Sequence, residues 1–315
     1  MAPTLESEST AAGDTAFPAE RSVPVSVVVP VKNESANIRD CLEHLRWARE
    51  VFVVDSASTD DTCDIATSMG AAVVQFKWDG RYPKKKNWAI ENLPFTTDWI
   101  LIVDADEHIV PELAQEIAQT IAAPGDKAGF YINRKFIFLG SWIRHCGYYP
   151  SWNLRLLRRG RGRYERISDS ADTRSGDNEV HEHVICEGPT GSLRHDMLHY
   201  AFPTIDVFME KHNRYSNWEA LVQYENLRGG LPRNFFGHEL ERRRFMKSVA
   251  SKLPFRPTLR FIYAYCLRAG FLDGRRGFTF CRLLAAYEFL CVAKLNELRW
   301  KGGRKSKPAS GKGHS

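Results

Sequence analysis

The 315-residue chain contains no run of eighteen apolar residues and no C-x-x-C pair, and its seven cysteines are odd in number. The first absence leaves no obvious membrane-spanning helix, because Arg268, Arg282, Glu288 and Lys294 interrupt even the most apolar late segments. The cysteine pattern fits a reduced, cytoplasmic protein better than a disulfide scaffold. The first twenty residues lack the basic start and continuous apolar stretch of a secretory signal, so residues 1–22 read as a disordered leader. Acidic residues are scarce late in the chain: 228–315 hold 5 Asp+Glu against 20 Lys+Arg, whereas 1–227 hold 33 against 24. The net charge of +6 is therefore the average of an acidic body and a basic C-terminal region. A composition of 43% hydrophobic and 26% charged residues is that of a core-forming chain, which excludes collagen and wholesale disorder.

From Val25 the pattern alternates between strand and helix. VSVVVP (25–30), EVFVVD (50–55), AAVVQF (71–76) and WILIV (99–103) are short buried-strand runs. Between them, helical spacing covers Glu34 to Trp47, Thr59 to Met69 with Ser58 as cap, and the KKKNWAIENL segment. Such units predict an α/β fold, a mostly parallel sheet wrapped by helices, with ligands beyond the carboxyl ends of the strands. The residues there are Lys32-Asn33-Glu34, Asp55-Ser56 and Asp104-Ala105-Asp106-Glu107. From residue 128 the texture turns aromatic and Arg-rich, with a Gly/Asp/Ser-rich loop at 168–178 and a strand candidate VHEHVIC (180–186). Helices are expected from Thr204 to about Asn226 and near 239–252, 257–270 and 279–299, and no internal repeat is present.

Two carboxylates at a strand mouth suit a hard divalent cation that leaves its other positions to phosphate oxygens. An Asp-x-Asp pair alone is weak, since a chain this rich in Asp yields about one by chance. Its place immediately after a buried strand, in register with Asp55 and Glu34, is what singles it out. The competing reading is that these carboxylates solvate a strand end or cap the helix that begins near Pro111.

Taken together, VSVVVPVKNE, VVDSASTDDT, the KKKNWAIEN segment and WILIVDADE, in that order and spacing, resemble the family 2 glycosyltransferases of the GT-A fold. The resemblance covers roughly 23–227, and later segments, among them FLGSWIRHCGYYPSW, VHEHV, LRHDMLHY and FLDG, resemble the lipopolysaccharide-core β-1,4-glucosyltransferase subgroup. It implies inverting transfer of a sugar from a nucleotide diphosphate sugar with Mg²⁺ or Mn²⁺. Glu34 and Asp55 match positions that hold the uracil and ribose of a UDP donor. Asp104 matches a position toward ribose and metal, and Asp106 one on the metal itself. Lys84 and Lys86 match positions facing the diphosphate; a solvated helix face competes, on the expectation that Lys84, Lys85 and Lys86 cannot all point inward.

Inverting transfer needs a base for the acceptor hydroxyl and a cation for the leaving diphosphate. The resemblance places Glu182 as that base, although His181 stands where the family more often has a first acid. It places His199 on the metal, with His195 as the fallback. Trp152 and Arg155 are candidates for stacking on a sugar and holding phosphate, with ordinary core packing as the competing reading. A zinc hydrolase built on His181, Glu182 and His183 is disfavoured, because residues two apart on a strand share a face and Glu182 would point away from both histidines.

The basic region over 228–300 alternates apolar stripes with Arg and Lys, and 301–315 reads as a disordered basic tail. Nucleic acid is one partner for such charge, but no recognition motif accompanies it. An anionic cytoplasmic membrane face is the other, at about 1 kcal/mol per cation near the surface, and a lipid-linked acceptor gives that attraction a purpose. The resemblance implies a glycosyltransferase with UDP-glucose as donor and a lipopolysaccharide-type or other lipid-linked glycan as acceptor, and with the charge pattern the expectation is a cytoplasmic, peripherally membrane-associated enzyme. The alternatives are a polyprenyl-phosphate sugar synthase and a non-catalytic nucleotide- or membrane-binding module.

Overall fold

A computed structural model describes residues 17–166, 183–227 and 255–304. Residues 1–16 of the expected 1–22 leader, the 168–178 loop, His181, Glu182, the 239–252 helix and the last eleven residues of the tail lie outside the described residues, whereas 17–22 are described and the Arg21 amide donates to the Arg46 carbonyl at 2.8 Å. The chain divides into two units, the described residues of Met1–Arg134 with Trp152–His199 and those of Lys135–Ser151 with Tyr200–Ser315.

The first unit is built on four parallel strands, β1 (Val23–Val31), β2 (Ala48–Asp55), β3 (Ala72–Gln75) and β4 (Trp99–Ile102), ordered β3-β2-β1-β4. Because side chains alternate across a strand, Val25, Val27, Val29 and Val31 enter one core with Val53 and Leu101. Val28 enters the opposite core with Phe52, Val54, Ile100 and Ile102. Burial on both faces of β1, β2 and β4 explains why their inner stretches read as mostly apolar runs.

The connecting helices are shorter than the periodicity suggests: α1 spans Ile38–Glu43, α2 Thr62–Ser68 and α3 Lys85–Asn92. The first two start late because their leading residues are laced to one another. The amides of Asn33, Glu34 and Ser35 donate to Ser58 Oγ (2.8 Å), Thr62 Oγ1 (2.8 Å) and Asp60 Oδ2 (3.1 Å), and the Thr59 amide donates to Asn33 Oδ1 (2.8 Å). Ser58, expected to cap a helix, instead serves this lacing and donates to Asp55.

After β4 come the two-residue β5 (Glu107–His108), α4 (Pro111–Ala122) and the long β6 (Gly129–Phe138), whose first half belongs to this unit. The short β7 (Ser141–Trp142) folds back antiparallel on the far end of β6, and β8 (Trp152–Arg158) then runs antiparallel to both β4 and β6. A ribbon of β9 (Gly162–Tyr164) and β10 (Val184–Cys186) follows. β11 (Thr190–Ser192) runs beside β6, and β12 (Met197–Phe202) pairs antiparallel with β5, setting His199 opposite Glu107.

The second unit is mainly helical, with α5 (Ile205–Leu227), α6 (Arg256–Ile262) continuing as a π turn over Tyr263–Leu267, a 3-10 turn at Gly270–Asp273 and the long α7 (Gly274–Arg304). Residues 205–227 thus cluster with the C-terminal helices, although their sequence resemblance runs with the segments before them. An aromatic core of Phe136, Phe138, Phe202, Phe208 and Phe280 holds the unit together. Asp273 ties the 3-10 turn to the β7 segment by accepting hydrogen bonds from the His145 amide (2.9 Å) and ring Nδ1 (2.8 Å). Among the described residues no helix is long and apolar enough to cross a membrane.

The start of α7 is tightest at Gly277, where an added Cβ would lie 2.2 Å from the Gly270 carbonyl oxygen and 2.6 Å from Asp273 Cβ. Overpacking of this kind costs about 1–3 kcal/mol. Gly277→Ala is expected to lower the calorimetric melting temperature by roughly 3–10 °C; an unchanged transition would show that this contact yields freely.

Candidate active site

The carboxyl ends of β1, β2 and β4 carry Glu34, Asp55 and Asp104. Asp55 is buried and accepts hydrogen bonds from the Ser58 amide (3.0 Å) and hydroxyl. Burial alone would raise its pKa, but these bonds hold the carboxyl below its usual range. Glu34 accepts from Asn37 Nδ2 at 2.7 Å, and its own amide is fixed by Thr62, so the loop after β1 is anchored at both ends.

Asp104 is the centre of the densest ionic cluster. Its Oδ2 accepts from Arg155 Nη2 at 2.7 Å and its Oδ1 lies 2.9 Å from Lys86 Nζ. The same Arg155 nitrogen lies 2.7 Å from Oε1 of Glu107, a fully buried side chain whose Oε2 accepts from the Asp104 amide at 2.9 Å. Arg134 approaches Glu107 at 3.4 Å. Burial opposes ionisation of Asp104, yet Arg155 and Lys86 outweigh it and keep the carboxyl well below the ordinary range. Both cations are in turn held protonated against their own burial, chiefly by Asp104. Asp104 is therefore an anion fixed in place.

Lys84, Lys85 and Lys86 are all buried, which overturns the expectation that three successive lysines cannot point inward and, with it, the solvated-face reading. Lys84 is the residue before α3 and has extended backbone (φ −78°, ψ 174°), so the triplet does not fan around a helix. Lys85 uses the freedom to donate to the Val31 carbonyl at 2.8 Å, at the end of β1. Asn87 joins α3 to β9 through the Tyr164 amide (2.8 Å) and carbonyl (3.1 Å), and the Tyr164 ring lies 5.6 Å from Lys86 Nζ.

The strand pairing between β5 and β12 puts His199 Nε2 3.5 Å from Asp106 Oδ1. His195 is directed elsewhere: its amide and Nδ1 engage Glu116 of α4 at 2.9 and 2.8 Å. Arg155 is buried with its guanidinium paired to the carboxylates of Asp104 and Glu107. Trp152, 46% exposed at the start of β8, is not a core residue either. The structure thus gathers Lys86, Asp104, Glu107 and Arg155 in one cluster and sets Asp106 beside His199. It holds Glu34 and Asp55 at neighbouring strand ends and leaves Trp152 at the surface. Sequence reasoning placed Glu107 at the ligand edge behind Asp104-Ala105-Asp106 but gave it no role, and it passed over Arg134. Among the described residues no three His, Cys, Asp or Glu side chains converge as a metal cage.

Four parallel strands with carboxylates at their carboxyl ends, extended by antiparallel strands, form the GT-A type of α/β fold. The family model for glycosyl transferase family 2 matches residues 26–177. The lipopolysaccharide core biosynthesis glycosyltransferase LpsC of Rhizobium meliloti is 30% identical over 284 residues, covering 87% of this chain and 92% of that protein. An uncharacterized glycosyltransferase of Rickettsia bellii is 28% identical over 276 residues, covering 87% and 86%. Among solved structures, the mannosyltransferase PcManGT of Pyrobaculum calidifontis, in complex with GDP-mannose and Mn²⁺, aligns over 89% of each chain at 16% identity and a TM-score of 0.47. The chain belongs to the family 2 glycosyltransferases. It is a glycosyltransferase similar to one of lipopolysaccharide core biosynthesis.

Removing Arg155 would leave Glu107 buried without its closest cation. Breaking a buried ion pair from one side costs about 3–5 kcal/mol, so Arg155→Met is expected to lower stability by that order. Because the folded Asp104 pKa is depressed, its contribution is complete above the unfolded carboxylate value near about 4 and fades as pH falls below it. Denaturant titrations of both proteins should show a gap that is widest at neutral pH and narrows below about pH 4; a gap independent of pH would contradict the ionic assignment.

Proposed function

We propose that this glycosyltransferase moves glucose from UDP-glucose, with inversion, to a hydroxyl of a lipopolysaccharide-core or other lipid-linked glycan, at the inner face of the cytoplasmic membrane. The observation that carries the reading is the edge formed by Asp104, bound to Lys86 and Arg155, with Asp106 and His199 side by side two residues further on. The similarity to LpsC supports the choice of acceptor class.

The donor set fits a divalent cation. Asp106 and His199 offer one carboxylate oxygen and one imidazole nitrogen, ligands acceptable to Mn²⁺ or Mg²⁺, and among the described residues no third side chain converges on them, which leaves positions for diphosphate oxygens and water. When bound, such an ion supplies Lewis-acid stabilisation of the departing diphosphate. The chain's own groups do the rest. Lys86, with Lys84 nearby in sequence, presents positive charge where the diphosphate is expected, and Arg155 keeps Asp104 ionised and immobile. Asp55 and Glu34, anchored by the 33–35 and 58–62 lacing, offer acceptors to ribose and uracil. Glu182 takes the proton of the attacking hydroxyl as the sugar is transferred, and Trp152, exposed at the start of β8, is available to stack on a sugar ring.

The test is UDP release from a panel of nucleotide sugars with Mn²⁺, in the presence and absence of acceptor. Asp106→Asn should lower turnover by about 10²-fold or more, and His199→Ala should raise the Mn²⁺ concentration for half-maximal rate by roughly tenfold. Turnover in Asp106→Asn equal to the parent would remove the metal reading. Glu182→Gln should cost about 10²–10⁴-fold in kcat with the donor KM unchanged; an undiminished kcat would remove the base assignment.

A further inference from the structure

The C-terminal half of the second unit carries an apolar surface that the transfer reaction does not use. Between Phe255 and Phe278 eight large hydrophobic side chains are exposed, with Phe255 at 80%, Leu267 at 74% and Leu272 at 62% at the extreme. On α6, Leu259, Ile262 and Tyr263 stand at i, i+3 and i+4, the spacing of one helix face. Ring contacts join the remaining segments to that helix. Phe261 stacks on Tyr265 at 5.2 Å and meets Phe278 at 5.9 Å, while Tyr265 meets Phe271 at 6.2 Å and Phe278 at 5.6 Å. Phe271 and Phe278 thus meet in one aromatic group with Phe261 and Tyr265, while Leu259, Ile262 and Tyr263 form a separate exposed face of the same stretch.

Charge in the same stretch has one sign. Residues 255–282 contain six arginines and a single acid, Asp273. That acid is turned inward onto His145, and Arg256 pairs with Glu288. The other five, Arg260, Arg268, Arg275, Arg276 and Arg282, form no ion pair among the described residues. Two lie beside the patch rings, Arg260 at 5.9 Å from Tyr263 and Arg282 at 5.9 Å from Phe261. Exposed apolar groups this concentrated along the chain mark a contact surface, and a self-interface would oppose these arginines to copies of themselves. An anionic phospholipid surface satisfies both features, taking apolar tips below the headgroups and guanidinium groups at their phosphates.

We infer that residues 255–282 are a membrane-inserting surface: Leu267, Phe271, Leu272 and Phe278, with the exposed face of α6, enter the acyl boundary of an anionic bilayer, and the five arginines bind lipid phosphates. The purpose of the contact rests on the lipid-linked acceptor proposed above, whereas the surface itself is read from side chains alone. It differs from charge-only docking, since apolar insertion persists when electrostatic attraction is screened.

The experiment is flotation of the full chain with vesicles of phosphatidylglycerol and phosphatidylcholine, or of phosphatidylcholine alone, at low salt and at about 1 M salt, where the Debye length is about 3 Å. The variants are Leu267→Glu/Leu272→Glu and Arg275→Glu/Arg276→Glu, all at exposed positions, with donor hydrolysis and light scattering on each. The leucine pair should reduce the bound-to-free ratio by about tenfold or more at both salts, and the arginine pair by about tenfold at low salt only. Donor hydrolysis should be unchanged in both variants, so failure of docking and failure of the catalytic reading are told apart. Equal flotation of the leucine variant and the parent would overturn the inference, as would loss of all binding at high salt. A parent dimer that the leucine variant converts to monomer would overturn it too, by assigning the patch to a second copy of the chain.

Discussion

One buried guanidinium holds the site together. Arg155 reaches two carboxylates through a single nitrogen, Asp104 and Glu107, each at 2.7 Å. Its position follows from strand register. β8 runs antiparallel to β4 with Leu156 opposite Leu101, so the residue before Leu156 falls at the carboxyl end of β4, where Asp104 emerges. A charge this buried persists only with partners, and the partners persist only because the charge is there. Glu107 closes the loop by accepting the Asp104 amide, which sets the course of the chain through Asp106.

That geometry fixes the charged groups of the edge. Asp104 is paired with Lys86 and Arg155, which holds it as a fixed anion. Asp106 emerges beside His199 because β5 pairs with β12 immediately after it. A second web, of Asn33, Ser58, Asp60 and Thr62, anchors the loops after β1 and β2 through backbone amides. Groups held in this way need little reorganisation when a donor arrives, which is where preorganised polar sites gain their catalytic effect.

The strands were legible because β1, β2 and β4 are largely buried on both faces and so appear as runs rich in Val, Ile and Leu. The carboxylates behind them were legible because position after a strand, not residue type, marks the ligand edge of an open sheet. Helix starts were not, since the competition between α1 or α2 and the cross-loop hydrogen bonds is settled by residues some 25 positions apart. The lysine triplet misled because its first member is extended, a backbone state that charge spacing does not reveal. The roles of Glu107 and Arg134, and the pull of Glu116 on His195, depend on pairings between distant strands and helices that no local pattern encodes. The 255–278 surface was half legible: charge was visible in composition, but exposure of its apolar side chains is a property of the folded helices.

The central claim is that this edge binds a divalent ion together with a nucleotide diphosphate, with Asp106 and His199 among its protein donors. Electron paramagnetic resonance of Mn²⁺ titrated into the full chain, with and without UDP, addresses it directly. The account predicts weak Mn²⁺ binding by the protein alone and one tightly bound ion per chain once UDP is present, lost on replacement of Asp106. Tight binding without nucleotide, or no binding with it, would contradict the account.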